Sequence, residues 1–148
     1  MCGSGYNLIH NLCKDIPQGD PALDAATANM GSPWKMPTSD QCQELINEAV
    51  SGWTTVNGVN GRKFFNNTDS ANYIFIPASG IWSNTQHSNL DIYEFWCTKW
   101  YNMNEAYAMG SSSPNIGGTS SQFGYRGLSV RAIQVSKSNF SKSEKSNE

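Results

Sequence analysis

Two Asn-Gly pairs stand between runs of β-forming residues in "WTTVNGVNGRKFF", residues 53–65. Asn and Gly accept the positive φ that a tight hairpin requires, so Asn57-Gly58 and Asn60-Gly61 predict two strands joined by a glycine-bearing loop. A further strand, "NYIFIPAS", follows the turn-forming "NNTDS" and ends at Pro77.

The segment before the hairpin follows a different periodicity. In "PTSDQCQELINEAVSG", Thr38 and Gln41 have the spacing of a capping box, and Cys42, Leu45, Ile46 and Ala49 recur at i, i+3, i+4 and i+7. This predicts an amphipathic helix ended by Gly52, with Cys42 on its buried face. Upstream, "GDPALDAATANMGSPW" predicts a shorter helix, with Asp20 as N-cap, Pro21 at the first helical position, Gly31 past the end and Pro33 blocking continuation. Leu23, Ala26 and Met30 then share a face.

Residues 80–91 are mostly Ser, Asn, Thr and Gln with isolated apolar residues, which predicts a long surface loop. "YEFWCTKW", "EAYAM" and "LSVRAIQV" read as the remaining strands. The tail "SKSNFSKSEKSNE" lacks periodicity and is expected to be disordered. With 148 residues, one domain is expected: a lead-in over 1–19, a folded domain over 20–135 and a tail over 136–148. Trp34, Pro37, Leu45, Trp53, Phe75, Ile76, Pro77, Trp96, Val130 and Ile133 are the expected core, with Arg131 holding the terminal strand.

Charge excludes one class of partner. The net charge is -2 and the ten Lys and Arg residues are scattered, so the basic stripe that nucleic acid requires is missing. No run approaches the roughly 18 to 20 apolar residues of a membrane span, and no signal peptide is visible at the start. The expectation is a protein held for assembly, or a piece of a longer chain. Cys2, Cys13, Cys42 and Cys97 follow no metal-ligand spacing, although Cys2 and Cys13 could bridge in an oxidising compartment. His10 and His87 read as solvated loop residues. No metal, no cofactor and no catalytic residue is expected.

The stretch from Trp96 to Gly127, "WCTKWYNMNEAYAMGSSSPNIGGTSSQFGYRG", is unusual. Half of its 32 residues are Ser, Gly, Asn or Tyr, and only Lys99, Glu105 and Arg126 are charged. Tyr and Trp offer large contact area with few rotors to freeze, while Ser, Gly and Asn supply hydrogen bonds and backbone freedom. Composition fits an adaptable binding surface, and also a loop-rich edge of a β domain with no partner. Trp96, Trp100, Tyr101, Tyr107, Phe123 and Tyr125 tilt it toward binding, although Trp96 and Tyr107 fit a core equally well.

Read together, "GSPWKMPTSDQCQELI", "VNGVNGRKF", "YIFIPASG", "FWCTKW", "EAYAM" and "YRGLSVRAIQ" resemble the bacterial and phage domains of the fibrobacter major paralogous type. The resemblance spans residues 20–134. It implies an α+β, C-type lectin-like fold: two helices packed on a small twisted antiparallel sheet, with much irregular loop. It also implies the role of a variable protein of a diversity-generating retroelement, in which a reverse transcriptase rewrites a segment near the C-terminus. On this chain that segment is Lys99–Arg126, and the implied ligand-binding residues are Lys99, Trp100, Tyr101, Met103, Glu105, Ala108, Gly110, Ser112, Asn115, Gly117, Thr119, Ser121, Phe123, Tyr125 and Arg126.

The family's Trp-Ser-Ser stands here as Trp96-Cys97-Thr98, a departure at Cys97. Lectin-type calcium binding needs a carboxylate that Ser113-Pro114-Asn115 and Trp82-Ser83-Asn84 lack. The formylglycine-generating enzymes of the same broad fold use reactive cysteines, for which Cys97 with His87 is the conceivable pair. The expected function is noncovalent receptor recognition of a cell-surface protein or glycan, displayed on a virion tail or bacterial surface. The alternative is a fixed structural surface or virion domain with no selective ligand.

Overall fold

The computed structural model describes residues 15–113, 115 and 117–134. In chain order the elements are α1 (Ala25–Met30), β1 (Trp34–Lys35), α2 (Ser39–Glu48), β2 (Val50–Val56), β3 (Val59–Asn66), β4 (Asp69–Pro77), β5 (Ile81–Ser83), β6 (Gln86–Ser88), β7 (Ile92–Trp100), β8 (Glu105–Ser112), β9 (Gly118–Phe123), β10 (Arg126–Gly127) and β11 (Ile133–Gln134). The strands form four separate antiparallel sheets, ordered β1-β11, β10-β5-β6, β2-β3-β4 and β7-β8-β9.

This overturns the expected fold class. Strands hold 51% of the described residues and helices only 14%, so the protein is mainly β on several small sheets and not two helices on one twisted sheet. The difference arises in polar segments that form strands without a strand's apolar alternation. Residues 80–91 close into the β5–β6 hairpin through Asn84, whose φ is +54°. Residues 118–123 pair in register with β8 as β9. Such strands carry no apolar alternation because much of their surface meets solvent, so the period-2 signal is missing.

"LSVRAIQV" fails in the opposite sense: it is apolar yet forms no continuous strand. Ser129 exchanges backbone bonds with β7, donating to the Glu94 carbonyl (3.2 Å) and accepting from the Trp96 N–H (3.1 Å). Ile133 and Gln134 then pair with β1. The run changes partner in its middle, and Val130, expected in the core, is 45% exposed there. Pro77 is likewise exposed rather than core.

α2 is built as its sequence predicts: Thr38 Oγ1 accepts from Gln41 N–H (3.1 Å), and Gln41 Oε1 accepts from Thr38 N–H (3.0 Å). Its end comes earlier than expected, at Ala49 in extended conformation, and Gly52 lies inside β2. The hairpin turn is Asn57-Gly58, with φ of +50° and +80°, while Asn60-Gly61 lies within β3. Gly61 is required by a close approach, since a Cβ there would stand 2.3 Å from the Ile76 carbonyl oxygen.

α1 differs more. Its N-cap is Asp24 and not Asp20, which instead closes the preceding turn by accepting from Ala22 N–H (2.8 Å) and, through its carbonyl, from Asp24 N–H (2.8 Å). Of the expected apolar face only Ala26 is buried; Leu23 and Met30 are exposed.

The core lies between α2 and the strands. Cys42, Phe64, Ile76, Tyr93, Phe95, Cys97 and Met109 are buried together, with Leu45, Ile46, Ala49, Trp53 and Tyr107 packed against them. Tyr93 meets Phe64 edge-on at 6.3 Å and stacks on Trp53 at 6.5 Å, geometries that add about 0.5–1.5 kcal/mol each to the area they bury. β7 stands at one end of its sheet, yet has residues buried on both faces. Between Trp96 and Trp100 its pairing with β8 is interrupted, and the freed backbone bonds elsewhere: Thr98 N–H donates to Pro37 (3.0 Å), and the Thr98 carbonyl accepts from Ile16 (2.7 Å). Residues 15–19, assigned to the lead-in by sequence, are thereby part of the folded body. Cys2, Cys13, His10 and the C-terminal tail lie outside the described residues.

Candidate recognition face

The 99–126 segment supplies the end of β7, all of β8 and β9, and their connections. Pairing fixes which residues share a face. Glu105, Tyr107 and Met109 stand opposite Phe123, Ser121 and Thr119, and Ala106, Ala108 and Gly110 stand opposite Gln122, Ser120 and Gly118. Directly paired residues share a face and neighbours along a strand alternate. Thr119, Ser121 and Phe123 therefore lie on one face with Tyr107 and Met109, while Ala108, Gly110 and Ser112 lie on the other. The first face turns toward α2, where Met109 joins the core and Thr119 Oγ1 lies 3.4 Å from Gln43 Oε1.

The expected site residues thus fall into groups. At one end of the sheet, Lys99, Trp100, Tyr101, Met103 and Glu105 come together with Phe123, Tyr125 and Arg126. Trp100, Met103, Asn104, Phe123, Gly124 and Tyr125 line a hollow of about 520 Å³. Tyr101, Phe123 and Tyr125 are 57%, 42% and 64% exposed. At the opposite end lie Ser112, Asn115 and Gly117. Between them Ala108 is 0% exposed, which removes it from any contact surface. Gly110 is also constrained, since a Cβ would meet the Tyr93 carbonyl oxygen at 2.7 Å.

Backbone bonds hold the aromatic end. Tyr101 and Asn102 N–H both donate to the Glu105 carbonyl (2.9 and 3.2 Å), and Gly124 N–H donates to Asn104 (2.8 Å), tying the two connections together. The Asn102 side-chain oxygen accepts from the N–H groups of Asn104 (2.8 Å) and Glu105 (3.0 Å), an Asx-type turn. Phe123 and Tyr125 stack at 5.4 Å and 15°, and Tyr101 meets Tyr107 edge-on at 5.5 Å. The Arg126 guanidinium lies 5.9 Å from the Phe123 ring, and the Lys99 ammonium 5.7 Å from that of Tyr107. The Asp15 carboxylate accepts from Trp100 N–H (3.1 Å), and the result is a pre-shaped aromatic surface edged by the cations of Lys99 and Arg126 and the carboxylates of Glu105 and Asp15.

The opposite end is fixed by residues the sequence reading missed. Arg62, on β3 and 1% exposed, donates to Ser51 Oγ (3.1 Å) and to the Asn115 carbonyl, which also accepts from Ser111 Oγ (2.6 Å). Gly117 has a φ of +92°, and a Cβ there would lie 2.6 Å from that of Ser111. Tyr93, whose hydroxyl borders Gly117, is pushed up to about 12 by burial, partly offset by Arg62, and stays neutral.

Glu94 is a second missed group, legible only as an acid inside the apolar run "IYEFWC". It is buried on β7. Burial raises its carboxyl above the ordinary range, with Arg126 and Gln122 opposing that shift. Arg126 also donates to Gln122 Oε1, so the cation at the rim is anchored from beneath.

The conceivable reactive pair does not form. Cys97 is buried against Cys42, whereas His87 stacks on Trp82 at 4.5 Å in an exposed hairpin and bonds the Ser79 carbonyl (2.7 Å). Comparison of the chain with protein-family models, with curated proteins and with solved structures finds no match.

Proposed function

We propose that the protein is a noncovalent recognition domain that binds a cell-surface protein or glycan through the aromatic end of β7, β8 and β9. Trp100, Tyr101, Phe123 and Tyr125 are the anchors, and Met103, Asn104, Lys99, Glu105 and Arg126 form the rim. The observation that carries this reading is the cluster of the exposed rings of Tyr101, Phe123 and Tyr125 beside the half-buried Trp100, on a backbone already tied down by hydrogen bonds. Large amphipathic side chains held rigid before binding lose little entropy when a partner arrives. The resemblance of the framework blocks to retroelement variable proteins supports a second step: this face is rewritten, and the carrier displays it on a virion tail or bacterial surface.

One observation favours the alternative of a fixed structural domain. Exposed apolar residues also occur away from the segment, at Tyr73, Ile74, Trp82 and Leu90. The test is a screen of the purified chain against glycan arrays and bacterial surface fractions, repeated with Tyr101→Ala and Tyr125→Ala. A saturable ligand whose affinity drops by about 1–3 kcal/mol in each variant, at unchanged thermal stability, supports recognition. Saturable binding insensitive to both variants would move the site elsewhere. No saturable binding would favour the structural reading.

A further inference from the structure

Cys42 and Cys97 come from α2 and β7, 55 positions apart in sequence. Their Sγ atoms lie 3.4 Å apart, inside the core, and each residue is 2% exposed. Two sulfurs already in van der Waals contact are the starting geometry for a bond of roughly 2.05 Å. They sit in the apolar core among Phe64, Ile76, Tyr93, Phe95 and Met109. We propose that Cys42 and Cys97 are a disulfide-forming pair, closed by thiol–disulfide exchange as the chain folds in an oxidising compartment, and that the bond staples α2 to the sheet bearing the candidate face.

The oxidant is a low-molecular-weight disulfide of the glutathione class. One cysteine, as thiolate, attacks a sulfur of that disulfide, whose S–S bond breaks and releases the first small thiolate. The other cysteine then attacks the protein-side sulfur of the mixed disulfide and expels the second small thiolate. Two protein thiols are oxidised, one small disulfide is reduced to two thiols, and the two cysteine protons pass to the departing thiolates.

Timing follows from burial. In the folded protein the contact with Cys97, together with desolvation, pushes the Cys42 thiol far up, so it supplies almost no thiolate, and a bulky disulfide cannot reach it. The exchange therefore belongs to the folding chain. The closed loop takes in residues 43–96, which include β2 to β6, and long loops gain the most from a cross-link.

The test uses the full 148-residue chain carrying Cys2→Ser and Cys13→Ser, so that only this pair can react. It is prepared in two ways: refolding in a mixture of oxidised and reduced glutathione, and secretion into a bacterial periplasm. The expected product is lighter by two hydrogens, yields a non-reduced peptide joining Cys42 to Cys97, and melts roughly 10 °C higher than the same protein reduced by dithiothreitol in denaturant and refolded under reducing conditions. Adding Cys97→Ala should remove both the mass change and the response to dithiothreitol. Folded protein with both thiols free in both preparations would overturn the proposal, as would a cross-link that lowers the melting temperature. Neither readout depends on a ligand.

Discussion

Replacing Asp24 with Asn tests the fold where sequence and structure part most sharply. The side chain is 0% exposed. One carboxylate oxygen accepts from Ala26 (2.9 Å), Thr27 (3.1 Å) and Met36 (3.0 Å), and the other from Gly19 (3.1 Å) and Met36 (3.0 Å). Asn retains one oxygen, and its amide group must then face the N–H of Gly19 and share the side of Met36, donor against donor. A buried hydrogen bond to a charged acceptor contributes about 1.5–3 kcal/mol, so losing the Gly19 bond and the charge on the rest should cost about 3 kcal/mol. Acid supplies the second arm. Burial alone would raise the Asp24 carboxyl, but the N–H groups of Gly19, Thr27, Met36 and Ala26 outweigh it and hold the carboxyl below its ordinary 3.8. A depressed carboxylate stabilises the fold above the unfolded value and loses that contribution as pH falls through the folded one. Urea unfolding should therefore show Asp24→Asn weaker by about 3 kcal/mol at pH 7, with the gap narrowing below pH 4. A gap under about 0.5 kcal/mol at pH 7, or one that does not narrow in acid, would refute the reasoning.

Two further outcomes follow from the sheet that carries the face. Gly110→Ala presses a methyl group onto the Tyr93 carbonyl and should cost about 2 kcal/mol in chemical unfolding, whereas Gly118→Ala, with no atom within 4 Å of its Cβ, should stay within about 0.5 kcal/mol. For Glu94 the sign is opposite to that of Asp24: its carboxyl is raised by burial above the ordinary 4.5, so stability falls as pH rises through that window. Glu94→Gln should flatten this part of the pH profile, as melting curves collected from pH 4 to 8 would show.

What the sequence made legible was local. The Thr38 and Gln41 box and the Asn57-Gly58 turn are completed within a few residues, and both form where their spacing places them. Asp20 and Asp24 are both competent N-caps by local chemistry, and Pro21 favours the first. Met36, twelve positions on, decides for the second, and no local rule contains that contact. The same limit hid β9, because Ser and Thr pair with β8 without an apolar alternation, and it made "LSVRAIQV" look like one strand when its two ends serve different sheets. At the candidate face, the exposed rings were visible as composition. The exclusion of Ala108 and the crowding at Gly110 were not, since pleat and register arise only when β8 pairs with β7 and β9. Arg62 was invisible as a support of the segment, as its bond to Asn115 spans 53 positions.

Sequencing the locus across a natural population, together with its flanking DNA, tests the recognition face most directly. A rewritten recognition face should show substitutions crowded at Trp100, Tyr101, Met103, Phe123 and Tyr125, sparing Ala108, Gly110 and Gly117, beside a reverse transcriptase gene and a near-copy of codons 97–131. Variation spread evenly over exposed residues, as frequent at Tyr73 or in the β5–β6 hairpin as at Tyr125, with no template alongside, would contradict it.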